Sequence, residues 1–515
     1  MGTQTTSSVR RLFDRSVERR DRDMPTGRSL RVPAGIVALA GATTLTVVSG
    51  TTPVSIVLAG MAVVLLAGHP TLGPLGAAAV VILTLPYDRA ANGYLPRIAS
   101  IPIRPQDVAV VIGLGLCLPS IRFGRPRSGF SSWLLVAFIA IGIVALVAGF
   151  LGGNDARDIL RDARWWFLYG GGLVLLFLPP TARAQVVRGV LFGALAFAAV
   201  VVVTAALPAV PGGLRARAEE FDFGLLRLQY GNSVFLLFPL AWGASAWIGG
   251  RSSALGMLAL ASVAIMLSLT RTLMIVSAVV VVLVVLAGLL DRSGRGRSSF
   301  RRSSAVRMGA ALAIVPLSLA MALALIVGTA TPKSDTGGHP PVTNVPAPGI
   351  DGSGGEDPFG RVTFDNDQSG WGAIAGGRLK TYMRALEIIV ADPLGGSGMG
   401  ATVIAEYAFG GETFATPGRL PNVDDAYLTA GMKGGVPAML VLGLLLAWPA
   451  FRGLRFLRGR NLRVWWLPAW AGILALTLTQ SFATTGYGPF LLGMLVVVFG
   501  RGYAATRVRL AEAHE

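Results

Sequence analysis

Fourteen apolar runs, most of them parted by short polar segments, constrain this chain more than any other feature. They fall at about 33–50, 53–68, 71–86, 107–121, 131–151, 165–178, 185–207, 231–249, 253–269, 272–290, 307–329, 436–450, 464–482 and 487–500. An apolar helix needs roughly 17 to 25 residues to cross the hydrocarbon layer, and most of these runs reach or approach that length. Hydrophobic residues make up 53% of the chain, charged residues 14%, and mean hydropathy is +0.62. That composition belongs to a polytopic membrane protein and excludes a soluble globule. The expected fold is therefore all-α, with about 14 transmembrane helices (12 to 14).

The formal net charge of +18 does not point to nucleic acid, because the basic residues sit mainly between apolar runs. Alternate loops carry Arg122/Arg125/Arg127, Arg292/Arg295/Arg297/Arg301/Arg302, Arg452/Arg455/Arg458/Arg460/Arg463 and Arg501/Arg507/Arg509. Cytoplasmic loops are the ones enriched in Lys and Arg, so all four clusters lie on the cytoplasmic side, with both termini. The expected division is a cytoplasmic Arg-rich tail (1–32), helices 1–11 (33–329), a large extracytoplasmic loop with short helices (330–435), helices 12–14 (436–500) and a cytoplasmic tail (501–515). The polar N-terminus reads as a tail and not as a signal peptide. Cys117 stands alone and the three histidines are scattered, so no metal site and no cofactor are expected.

The outer loops hold the chemistry. In NDARDILRDARWW, Arg157, Arg161 and Arg164 alternate with Asp155, Asp158 and Asp162; the plain reading is an interfacial helix with internal pairing and Trp165/Trp166 in the aromatic belt. Arg271 in LSLTRT sits between two apolar runs with no adjacent acid, which makes it a functional candidate. Arg227 is another such residue, in LRLQYGN. In the large loop, Leu379, Met383, Leu386 and Val390 recur at helical spacing opposite Lys380, Arg384 and Glu387, predicting a helix from Arg378 to Ala391 that Asp392-Pro393 ends. Arg378 would stand at its positive end, where an anion nearby relieves the charge. Asp424 and Asp425 precede the next apolar run. Consecutive side chains diverge, so one is expected to face a site as a general base while the other caps the next helix. GGSGMG (395–400) lacks the Lys-Ser/Thr of a phosphate loop, and DNDQSG (365–370) lacks the glutamate of a calcium loop.

The stretches GRLKTYMRALEIIVADPLGGSGMG and DDAYLTAGMKGGVPAMLVL, with LSLTRT upstream, resemble the O-antigen ligase and polymerase superfamily. The resemblance implies a membrane-embedded, inverting, metal-independent glycosyltransferase, a ligase or polymerase. Its donor would be a glycan on polyprenyl pyrophosphate, its acceptor a glycan or lipid, and its site the outer face of a bacterial cytoplasmic membrane. It implies Asp424 as base and Arg378 and Arg271 as pyrophosphate ligands. Arg227, Arg384, Arg161, Asp425 and Tyr427 complete the expected donor- and glycan-binding set. The family's histidine is replaced by Asp424, and here the chain is also similar to the peptidoglycan polymerases of the shape, elongation, division and sporulation group. A transporter or flippase of polyprenyl-linked sugars is the alternative. Such a protein should carry ionisable residues near mid-span and an internal repeat.

Overall fold

The structure is a computed structural model that describes residues 30–49, 52–85, 97–98, 101–121, 129–206, 219–220, 226–227, 231–268, 270–293, 302–329, 371–409, 412–420, 422–423, 425–458 and 465–500. The helices are α1 Arg31–Ser49, α2 Pro53–Ala67, α3 Gly73–Thr84, α4 Pro105–Cys117, α5 Phe130–Leu151, α6 Ala156–Leu168, α7 Gly171–Leu176, α8 Pro180–Ala206, α9 Leu237–Ile248, α10 Ala254–Leu267, α11 Arg271–Ser293, α12 Arg302–Thr329, α13 Trp371–Ala391, α14 Ala426–Arg458, α15 Trp466–Thr477 and α16 Gly488–Gly500. Proline occupies the first turn of α2, α3 and α4, where its missing N–H leaves no bond unmade. Thr52 and Ser55 close a capping box at the start of α2.

Two helices are buried almost from end to end. Every residue of α16 is buried, as is nearly all of α3, so these apolar segments pack against protein and not against lipid. Helix α3 lies on α8 at close range, and a Cβ on Gly189 would collide with the backbone of Gly76. Small residues permit such approach between membrane helices, which gain dispersion contacts from it. Longer helices such as α5 and α11 keep large apolar side chains exposed along one side.

The protein is predominantly helical and its apolar helices make it an integral membrane protein. Among the described residues, Phe130–Leu151, Pro180–Ala205, Thr272–Leu290 and Ala426–Arg455 are long and apolar enough to cross a bilayer unaided, and nine apolar helices are shorter. The expectation of an all-α chain needs an addition. Strands pair antiparallel as β1 Arg97–Ile98 with β2 Ile101–Pro102, β3 Glu219–Glu220 with β4 Leu226–Arg227, and β5 Val403–Phe409 with β6 Glu412–Leu420. The last pair flanks a Gly-Gly turn signal in the large loop.

Three local expectations are corrected. Trp165 and Trp166 are buried in the protein, not in an interfacial belt; Trp166 stacks on Phe138 at 4.6 Å and its Nε1 donates to the Phe138 carbonyl. The helix after the large loop starts at Ala426 and not at 436. In α13 the face packed against α14 and β5 carries Ala385 and Ile389, while Met383, Leu386 and Val390 are exposed. An apolar stripe turned away from protein suits contact with lipid.

Candidate functional site

The site grows from a break in α14. Gly434 (φ −132°, ψ 17°) and Gly435 (φ 70°, ψ −173°) interrupt the helix between an arm, Ala426–Lys433, and the apolar remainder. The dihedrals of Gly435 are open to glycine almost alone, and a Cβ there would lie 2.6 Å from the Pro393 carbonyl oxygen. That carbonyl instead accepts a 2.8 Å bond from the Val436 N–H, satisfying one of the donors that the break exposes.

The glycine-rich loop 395–400 fills the gap. Positive φ at Gly396, Gly398 and Gly400 lets it turn tightly. The Ser397 N–H donates to the Met432 carbonyl and the Met399 N–H to the Ala145 carbonyl, both at 2.8 Å. Asn154 Nδ2 donates to the carbonyls of Ser397 and Met399, each at 2.9 Å. The glycines thus serve close packing between α5 and the arm, in keeping with the absence of phosphate-loop residues.

Beside this loop an ion pair is shut from water. Lys433 Nζ donates to Asp162 Oδ2, and both side chains are 0% exposed. The same oxygen accepts from the Gly400 N–H at 2.7 Å, while Nζ also donates to the Ala401 carbonyl at 3.2 Å. Arg161 Nε stands 4.0 Å from Asp162 Oδ1. Asp162 therefore pairs with a lysine remote in sequence, and not only within its own helix.

At the N-terminal end of the arm, Asp425 is buried and caps the helix. Its Oδ1 accepts from the Leu428 N–H at 2.8 Å. Burial pushes its carboxyl above the usual aspartate value, opposed by bonds from the Leu428 and Tyr427 backbone. Thr429 Oγ1 both accepts from the Val423 N–H and donates to its carbonyl at 3.1 Å, pinning the segment before the cap. The Tyr427 hydroxyl lies 2.8 Å from Thr477 Oγ1, tying the arm to α15. A second polar cluster joins α4, α6 and the approach to α16. Arg164 Nη2 donates to Asp107 Oδ1 at 2.6 Å and contacts the Tyr487 hydroxyl, with its guanidinium 5.0 Å from that ring's centre.

The remaining expected residues are dispersed. Asp424 lies outside the described residues. Arg271 is the first residue of α11 and Arg227 lies in β4, while Arg378 lies about two turns inside α13, which starts at Trp371, and not at the helix's positive end as the sequence led us to expect. Arg161 pairs with Asp158 at 2.9 Å. Arg384 is exposed and pairs with Glu387 at 3.4 Å. A polar cavity of about 280 Å³ lies between the α5–α6 turn and the glycine loop, lined among others by Asn154, Asp155, Asp158, Ser397 and Thr402. Among the described residues no group of three or more His, Cys, Asp or Glu is placed to hold a metal.

Residues 256–443 match the family model for O-antigen ligases. This match supports the O-antigen ligase/polymerase superfamily for that segment. It runs from α10 to the apolar part of α14 and so contains Arg271, Arg378, Asp424, Asp425, the glycine loop and Lys433. The match implies an enzyme of the ligase or glycosyltransferase type, with glycan and lipid-linked substrates in general. No curated protein matches the chain.

Sequence reasoning missed Lys433, Asn154, Asp107 and Tyr487. Lys433 carried a usable signal, being one of three lysines and lying just before an apolar run. A charge in that place needs a partner. The partner could not be read, because Asp162 is 271 residues away.

Proposed function

We propose that the protein is an inverting glycosyltransferase, a glycan ligase or polymerase, at the outer face of the bacterial cytoplasmic membrane. It transfers a glycan from a polyprenyl-pyrophosphate donor to an acceptor glycan or lipid. The observation that carries this reading is the O-antigen ligase match over residues 256–443, which spans both Arg271 and Arg378 as well as the acid pair.

In one displacement, the acceptor oxygen forms a bond to the anomeric carbon as its proton passes to Asp424. The bond from that carbon to the donor oxygen breaks, and its electron pair leaves with the pyrophosphate. Arg271 and Arg378 neutralise the departing charge through planar, paired donors, a role that elsewhere falls to a metal ion. Asp425 is better suited to holding the arm than to taking the proton, since its Oδ1 already accepts the Leu428 N–H.

The test is transfer by purified protein from a polyprenyl-pyrophosphate-linked glycan. Removing a general base costs about 10² to 10⁴ in rate. Asp424→Asn should lose activity on that scale with little change in Tm. Near wild-type transfer by this variant at saturating donor would rule Asp424 out as the base.

A further inference from the structure

We propose that Lys433 and Asp162 act as a positioning clamp that sets the direction of the arm Ala426–Lys433, and with it Asp425 and Tyr427, for glycosyl transfer. This rests on the transferase reading above.

The glycine joint leaves the arm's direction to the contacts around it. Gly434 and Gly435 join it to the membrane helix through non-helical dihedrals, and Lys433 is the last residue before that joint. Its side chain reaches across to α6, where Asp162 Oδ2 receives both Nζ and the Gly400 N–H. One carboxylate oxygen thus gathers the arm, the glycine loop and α6, while the Ala401 carbonyl takes a further bond from Nζ. Both side chains are wholly buried. A buried pair of this kind is often no more stabilising than apolar residues of equal volume, and specifying a geometry is its best-attested use.

The lever is long enough for the geometry to matter. From the break back to Asp425 the arm rises about 12 Å, so a tilt of about 5° moves that end by about 1 Å. Misplacement on that scale can cost about 10²-fold in rate. Neither side chain needs to touch substrate for this effect.

The experiment uses full-length protein in nanodiscs, with Lys433→Met, Asp162→Asn and the double variant. Transfer is measured from a polyprenyl-pyrophosphate-linked glycan, and hydrogen exchange is followed by mass spectrometry. Each single variant should lose at least about 10-fold in kcat per folded molecule, with donor KM changed by less than about twofold. The double variant should fall no further than the worse single. Exchange should quicken in peptides covering 395–401 and 426–436 and stay unchanged in Phe130–Leu151.

Wild-type kcat with only a lowered Tm would make the pair merely structural and overturn the clamp. Unchanged exchange in the two peptides would do the same. If wild-type protein transfers nothing from this donor, the transferase reading fails, and the clamp falls with it as a catalytic device; the exchange data then show only whether the pair holds the arm. Should the single variants not fold, Asp162→Glu keeps the charge but lengthens the reach. It should fold and lose kcat, and full kcat in it would overturn the proposal.

Discussion

Arg164 Nη2 and Asp107 Oδ1 lie 2.6 Å apart, bridging the first turn of α4 to α6. Asp107 also accepts the Arg104 N–H through Oδ2 at 2.9 Å, so one carboxylate both caps a helix and holds a neighbour. The two duties separate by substitution. Asp107→Asn should keep much of the cap and lose the ion pair, whereas Asp107→Ala should lose about 1 kcal/mol more. Thermal unfolding in detergent would order the three proteins, and equal Tm for Asn and Ala would remove the cap.

Asp425→Asn should keep the Leu428 bond, because asparagine caps about as well as aspartate, and Asp425→Ala should cost about 1 kcal/mol. Acidity gives a second readout. Since burial raises the folded carboxyl above its unfolded value, this group favours folding below the unfolded value, and the contribution fades as pH rises through the folded one. The Asn variant should lack that component in Tm against pH, and an unchanged profile would mean the carboxyl is not desolvated.

Arg378→Lys and Arg271→Lys should each insert and fold yet lose most transfer, because lysine offers a point charge in place of a planar fork. Full activity in both would end the pyrophosphate role. Their expression and Tm should match wild type, which keeps the readout on chemistry.

Sidedness follows from the arginine clusters. With Cys117 replaced, a cysteine at Ser353 should react with an impermeant thiol reagent on whole cells and one at Ser299 should not. The reverse pattern would invert the topology.

Local chemistry was readable in the sequence and remote pairing was not. The apolar runs marked most of the helices, although the run at 165–178 is split between the end of α6 and the short α7, and Asp392-Pro393 marked the end of α13 at Ala391 but not its start at Trp371. The start of α14 was obscured because MKGG looks like loop, while the structure carries the helix up to a break at those glycines. Trp165 and Trp166 looked interfacial because neighbouring charges mask their burial; stacking on Phe138 comes from another helix. The Lys433–Asp162 pair depends on a fold that no local pattern encodes.

The bonds from Asn154 to Ser397 and Met399 span 243 and 245 residues, which has a consequence for how the protein is made. Chain synthesis runs from the N-terminus, so α5 and α6 are made long before the glycine loop exists. Loops of this length close slowly, since the entropy of joining distant segments must be met before their contacts form. A nascent chain can thus be fully inserted through α12 while Asp162 still has no lysine and Asn154 no carbonyls. The glycine loop and the arm therefore join α5 and α6 only after most of the chain has been made.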